Sequence, residues 1–358
     1  MAPNAWFSTT LLVALLATAP WVAAQPVGAA TSADTTAATP ATPRPESAVN
    51  SALLAVDPAT YTTQTFEWLD AQRTRRVPAK LYLASAPAPE AGLPLVVFSH
   101  GIGGSREGYS YIGRYLASQG YASLHVQHVG SDSTLWSGGI LSLVSRLTDA
   151  AQESEALHRV QDVRYALDQI LSRPELLRID GRRIAVAGHS YGANTAMLVA
   201  GANPPVKGLS AMLRDERVTA AVLLSAPPFY GYGSPAQILS DIRIPTLHVT
   251  ATEDVINIPG YTSGLDDRLA IYSAMGTRQA ASKVLAVFKE GSHSVFTDRG
   301  SSGGSGLNPK IKLATRQLAL AFLNQVFSLD KTGLQRWQPE NAALMARFEN
   351  TMAATASP

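Results

Sequence analysis

Apolar positions along the chain switch repeatedly between continuous runs and stripes of helical period, and that alternation predicts its architecture. "VPAKLYLAS" alternates at Val77, Ala79, Leu81 and Leu83 and predicts an early antiparallel strand. "PLVVFSHG" is a continuous apolar run closed by glycine, as a strand buried on both faces requires. "SREGYSYIGRYLASQG" predicts a helix with Ser105 as N-cap and Gly120 as its stop, and "YASLHVQHVG" predicts the next strand. From about Asp149 to Ser172, the residues Leu157, Val160, Val163, Leu167, Ile170 and Leu171 fall on one stripe and predict a single amphipathic helix lying on a sheet. Arg159 and Asp162 on that helix form an i, i+3 pair expected on its solvated face, the alternative being that the pair braces a loop.

Further along, "RRIAVAGHS" predicts a strand and "YGANTAMLVAGA" the helix that leaves it. "VTAAVLLSA", "IPTLHVTAT" and "KVLAVFKEG" predict three more buried strands, and "KIKLATRQLALAFLNQVF" a late amphipathic helix. The segment "WQPENAALMARFENTM" is expected as a short amphipathic helix carrying Leu344, Met345 and Phe348. A strand-then-helix rhythm of this kind implies an α/β class: a mainly parallel sheet of about eight strands, covered by helices on both faces, with ligands bound at the carboxyl ends of the strands.

The ends of the chain differ from this pattern. "AWFSTTLLVALLATA" is an uncharged apolar run too short to span a bilayer, and Val22 and Ala24 supply the small residues that a signal peptidase needs, so residues 1–24 are expected to be a cleaved signal peptide. The alternative is a retained N-terminal anchor, because no Lys or Arg precedes the run. Residues 25–50 are Ala, Thr and Pro without periodicity, the composition of a flexible leader, and residues 51–358 are expected to form one catalytic domain. Export would place the protein outside the cytoplasm, secreted or periplasmic, with no stable membrane insertion after cleavage.

Charge and cysteine content narrow the classes. With 29 Lys and Arg against 27 Asp and Glu, and no block of like charge, nothing points to nucleic acid. The chain holds no cysteine, which removes disulfides, thiolate metal sites and a thiol nucleophile.

"GHSYG" carries the chemistry. Ser190 stands where an apolar strand becomes a helix, and Gly188 and Gly192 let strand and helix approach while the serine takes a strained positive φ. A serine hydroxyl needs a base to accept its proton and an acid to orient that base. Two histidines lie beyond Ser190. His248 sits inside "PTLHVT" and suits a sheet-facing imidazole, whereas His293 in "FKEGSHSVF" follows a strand in a polar loop and is expected to be the general base. Asp254 in "TATEDVINIP" is the favoured acid, with Glu253 as the fallback. Two backbone amides must hold the oxyanion. Tyr191 opens the helix and offers one, and Ile102 in "SHGIGGSREG" offers the other. The glycines of that loop do not follow the dinucleotide spacing, since the third would fall at Arg106.

Taken together, "FSHGIGG", "GHSYGANTAML", "TEDVINIP" and "FKEGSHSVF" resemble the α/β-hydrolase superfamily, in the bacterial secreted branch similar to dienelactone hydrolase and platelet-activating-factor acetylhydrolase. The resemblance spans about Thr65 to Phe327 and implies a serine carboxylic ester hydrolase working through an acyl-enzyme. It implies no metal and no cofactor. Two departures bear on substrate. Dienelactone hydrolases use a cysteine nucleophile, which is absent, and the acetylhydrolases place their acid where this chain has Ser225, so the acid moves to Asp254. Trp136, Phe229 and Tyr230 in loops at strand ends would suit an apolar or aromatic ester, small or polymeric, or else only cover the sheet. The side chain of Tyr191 is expected near the cleft mouth. Acyl transfer or peptide hydrolysis by the same triad, and a catalytically silent binding module of the same fold, are the competing classes, and oligomeric state is not encoded in any of these patterns.

Overall fold

The computed structural model describes residues 52–352 apart from 138, 174–177, 206–212, 230, 259–260, 279–280 and 299–307. The expected signal peptide, the leader and Tyr230 lie outside the described residues. The chain builds a nine-stranded sheet in the order β1-β2-β4-β3-β5-β6-β7-β10-β11, with a separate small hairpin of β8 and β9. The main strands are β1 Tyr61–Asp70, β2 Arg75–Ala84, β3 Leu93–Ser99, β4 Ala122–Val126, β5 Ile179–His189, β6 Val218–Leu224, β7 Thr246–Glu253, β10 Lys283–Ser292 and β11 Met345–Asn350. The hairpin strands are β8 Ile256–Ile258 and β9 Tyr261–Ser263. From β4 to β10 all neighbours are parallel; β1, β2 and β11 add antiparallel edges.

Continuous apolar runs become central strands because both faces are covered. In β3, Leu95 and Val97 enter one core while Val96 and Phe98 enter the other. Helices α3 (Glu153–Leu171) and α4 (Tyr191–Ala200) close the first face, and α1 (Ser110–Ser118) and α7 (Asn308–Val326) the second. All ten residues of α4 are buried, since it lies between the sheet and its neighbours. No helix among the described residues is long and apolar enough to cross a membrane.

Four local expectations change. β1 alternates weakly and was not anticipated; its partner β2 recruits it along a full antiparallel register from Tyr61–Ala84 to Asp70–Arg75. Helix α1 starts at Ser110 rather than after Ser105, because Tyr109 takes a left-handed φ of 58° and breaks any earlier helical turn. The helix expected from about Asp149 to Ser172 is present as α3, starting at Glu153, and a separate helix that was not anticipated, α2 (Ile140–Ala150), precedes it across Ala151 and Gln152. The C-terminal segment is α8 (Gly333–Asn341) followed by strand β11, so Met345 and Phe348 lie on an edge strand paired with β10. An open sheet edge at β10 outweighs the helical spacing there.

The turn between β5 and α4 fixes the centre of the molecule. Ser190 has φ 54° and ψ −123°, a conformation that a side chain tolerates only when its surroundings impose it. A Cβ on Gly188 would fall 2.2 Å from the carbonyl oxygen of Gly192, and one on Gly192 would fall 1.9 Å from that of Ser99. Both obstacles are backbone and cannot rotate away. Gly192→Ala is therefore expected to destabilise the fold by about 3 kcal/mol or to prevent its accumulation. Thermal unfolding of the purified variant checks this, and a wild-type melting temperature would contradict the packing described.

Candidate active site

Register brings the site together. Ser99 at the end of β3 lies opposite Gly188 of β5, which sets the glycine loop beside Ser190. On the other side, Glu253 of β7 pairs with Ser292 of β10, so that Asp254 and His293 leave adjacent strands at the same level. His293 Nδ1 donates to Asp254 Oδ1 at 2.7 Å, and Ser190 Oγ lies 2.9 Å from His293 Nε2, where it donates. The three side chains assigned from the sequence thus form one hydrogen-bonded line. His293 keeps about a fifth of its side chain exposed, at 22 %, whereas Asp254 is buried.

Asp254 has more partners than its imidazole. Thr250 Oγ1 donates to Oδ2 at 2.7 Å, and Arg268 Nε of helix α6 (Leu265–Ala274) approaches the same oxygen at 3.5 Å. Burial alone would raise the carboxyl pKa; His293, Arg268 and the Thr250 hydroxyl outweigh it and hold the group far below the usual carboxylate range. The fallback acid Glu253 is exposed. His248 is buried within β7 against Tyr272, with Nε2 3.0 Å from Thr246 Oγ1.

The glycine loop spends its amides unevenly. Gly101 N–H donates to Tyr109 Oη at 3.3 Å, Gly103 N–H to Ser131 O at 2.8 Å and Gly104 N–H to Gly101 O at 3.0 Å. Among the described residues, the Ile102 amide has no acceptor. Tyr191 is the first residue of α4, so its amide sits at the positive end of that helix. Its side chain turns the other way: the ring is buried beneath the Arg159 guanidinium, 4.4 Å away, and does not reach the cleft mouth.

Of the residues expected to meet substrate, Trp136 is 42 % exposed and donates its indole N–H to Gly103 O at 2.8 Å, which lays it against the glycine loop. Phe229 is buried in the core facing α3 and α4, which corrects its expected place in an open cleft. Tyr230 lies outside the described residues.

Beneath the loop runs a buried polar network. Arg159, expected at a solvated face, is fully buried and donates to Thr195 Oγ1 at 2.9 Å, Ser131 Oγ at 2.8 Å, Ser99 Oγ at 3.0 Å and the His100 carbonyl. Asp162 is equally buried and accepts from Arg73, Arg75 and His128 rather than from Arg159. Ser99 Oγ lies 2.9 Å from His128 Nε2, and the His128 amide donates to His100 Nε2 at 3.1 Å. A sequence signal existed, because Glu155, Arg159 and Asp162 recur at helical spacing beside the apolar stripe of α3.

A family model described as platelet-activating factor acetylhydrolase, isoform II, matches residues 73–138, from β2 through the glycine loop to Trp136. No curated protein matches the sequence. Among solved structures, a ferulic acid esterase from Streptomyces cinnamoneus superposes with a TM-score of 0.54 at 23% identity, covering 75% of this chain and 90% of that one. An acylaminoacyl peptidase from Pyrococcus horikoshii superposes with a TM-score of 0.53 at 17% identity, covering 74% of this chain and 42% of that longer one. The chain has the α/β-hydrolase fold. The expected sheet is correct in kind and one strand larger than foreseen. The antiparallel edges of the sheet come from β1, β2 and β11.

Its five buried histidines set an acid limit. Burial is the first cause holding His100 and His128 well below the ordinary value of 6.5, His125 at about 4, and His189 and His248 at about 3. Below pH 6.5 the unfolded chain binds protons that the folded chain refuses, so stability present above that pH falls as pH drops toward the folded values. Each such histidine makes stability fall as pH drops below the unfolded-state value, with a limiting slope of about 1.4 kcal/mol per pH unit. Urea unfolding is expected to show stability falling from pH 6.5 downward. A flat stability between pH 7 and 5 would contradict the buried, neutral assignment.

Proposed function

We propose that the chain is a serine carboxylic ester hydrolase whose catalytic unit is residues 51–358. The observation that carries this reading is the unbroken hydrogen-bond line from Ser190 Oγ through His293 to Asp254. Ser190 attacks the ester carbonyl and His293 Nε2 takes its proton, then passes it to the leaving alkoxide. The acyl-enzyme is resolved by a water that His293 activates in turn. Asp254 fixes the imidazole with Nδ1 protonated and stabilises the imidazolium; its depressed pKa keeps it ionised throughout. The amides of Ile102 and Tyr191 receive the tetrahedral oxyanion, and the α4 dipole adds to the second.

The substrate is an apolar or aromatic ester. Trp136 on the glycine loop and Val255, 47 % exposed directly after Asp254, offer apolar rims on two sides of the line. The ferulic acid esterase likeness agrees with an aromatic acyl group, and a polymeric ester would present the same carbonyl. The uncharged apolar run at the N-terminus supports export after cleavage near Ala24, to the periplasm or the medium.

Ser190→Ala is expected to lower kcat/KM for a nitrophenyl butyrate ester by about 10⁴-fold or more, with an unchanged melting temperature and no labelling by a fluorophosphonate. Asp254→Asn is expected to lower kcat by about 10³–10⁴-fold while labelling slows in step. Methyl ferulate assayed beside alkyl esters tests the aromatic preference, and products formed with an added alcohol or amine separate hydrolysis from transfer. Rapid labelling of Ser190→Ala would remove Ser190 from its role.

A further inference from the structure

His189, the residue before the nucleophile, is buried and has both ring nitrogens committed. Its Nε2 lies 2.9 Å from the backbone carbonyl of His293 and its Nδ1 lies 2.9 Å from Tyr109 Oη. A carbonyl only accepts, so Nε2 carries the hydrogen of the neutral ring. Nδ1 is then a lone pair, and the Tyr109 hydroxyl must donate to it. Tyr109 Oη in turn accepts from Gly101 N–H, the amide next to that of Ile102. The hydrogen bonds therefore run in one direction, from Gly101 through Tyr109 and His189 to the peptide of His293.

Packing makes this line stiff. Tyr109 is buried against Phe98 with ring centroids 4.6 Å apart, and His189 faces the His293 ring at 4.9 Å. A Cβ on Gly101 would meet His189 Nδ1 at 3.3 Å and Tyr109 Oη at 3.4 Å. Tyr109 holds its position in a left-handed conformation, φ 58°, that costs a tyrosine energy and puts its ring at the start of α1. The groups around His189 that disfavour its protonation are His293 and Arg268, and Asp254 favours it; burial is the largest influence and pulls its pKa down to about 3, so the ring is neutral near pH 7.

We propose that Tyr109 and His189 are a positioning pair that sets the Ile102 amide and the His293 imidazole to a common frame, resting on the proposed roles of Ser190, His293 and Ile102. Neither residue touches the reacting atoms. The pair works through the backbone of two loops that share no strand: the loop after β3 carries the oxyanion donor, and the loop after β10 carries the base. Without the Tyr109 hydroxyl, the hydrogen-bond line from the Gly101 amide to the His293 carbonyl is broken.

Three variants of the full chain test this: Tyr109→Phe, His189→Gln and the double variant. Tyr109→Phe removes one oxygen and keeps the ring. Gln at 189 keeps an amide donor for the His293 carbonyl and removes the ring Nδ1 that Tyr109 meets. Each single variant is expected to lose about tenfold in kcat with KM within about twofold of wild type, and the double variant to lose no more than the worse single. Nitrogen-15 spectra of the histidines are expected to show His189 as the Nε2–H form, with its Nδ1 resonance shifted in Tyr109→Phe. Unchanged kcat in Tyr109→Phe, equal changes in KM and kcat, additive losses, or a Nδ1–H ring would each overturn the pair. Should one variant fail to fold, the other carries the same kinetic test and the wild-type spectrum stands alone. Wild-type protein that ignores both ester and fluorophosphonate would overturn the esterase reading itself; active wild type with an indifferent Tyr109→Phe overturns only the pair.

Discussion

Helix α4 lies so close to strands β3 and β5 that no side chain fits between them at two points, and the remaining features of the site follow from that contact. The carbonyl of Ser99 stands where a Cβ of Gly192 would be, and the carbonyl of Gly192 where one of Gly188 would be. A helix held that near must begin abruptly, so Ser190 is driven to φ 54° and its hydroxyl is thrust out beyond the strand ends. The same approach sets the start of the β3 loop, at the Ser99 and His100 carbonyls, against the first turn of α4. One steric constraint thereby sets both the turn at Ser190 and the approach of the β3 loop to α4.

Close approach of backbones leaves carbonyls and amides in need of partners, and the polar network under the loop answers that need. Arg159 binds the His100 carbonyl and the Ser99 hydroxyl on one side and Thr195 of α4 on the other, while its plane covers the Tyr191 ring. Among the described residues no carboxylate pairs with it directly. Burying an unpaired guanidinium is costly, and burial accordingly lowers its pKa. Its worth lies in geometry: five donors in one rigid plane tie the loop after β3, the loop at Ser131 and α4 into a single unit, which an apolar side chain of the same volume would not do.

The central strands and the nucleophile turn were legible because each rests on a local rule. Alternating or continuous apolar runs mark β2, β3 and β5 to β7, and "GHSYG" marks the turn through its two glycines. Asp254 and His293 were legible for a similar reason, since each stands directly after a strand. What stayed hidden depends on contacts between distant segments. β1 owes its existence to β2, and β11 to an unpaired edge of β10 that overrides the helical spacing of Leu344, Met345 and Phe348. Arg159 and Asp162 look like surface charges until Arg73, Arg75, His128 and Ser99 arrive from three other elements. Phe229 looks like a cleft residue until α3 and α4 cover it.

The surroundings of Asp254, the proposed acid, follow the same logic of arriving partners. Strand β6 ends at Leu224, and Ser225 beyond it takes φ 50° with its amide bonded to Val249 O, so that position offers a buried hydroxyl and no charge. Strand β7 ends differently. The hairpin β8–β9 and helix α6 that follow Asp254 fold back and deliver Arg268 to its second oxygen, while Thr250, one turn of extended chain earlier, supplies a hydroxyl to the same atom. A carboxylate buried beside an imidazole must keep its charge both before and after that imidazole takes a proton. With only His293 as partner, its ionisation would depend on the protonation state it is meant to stabilise. Arg268 removes that dependence by standing as a permanent cation on the far side. The segment from Val255 to Ala274 therefore belongs to the acid as much as Asp254 does, and an aspartate grafted at Ser225 would lack it.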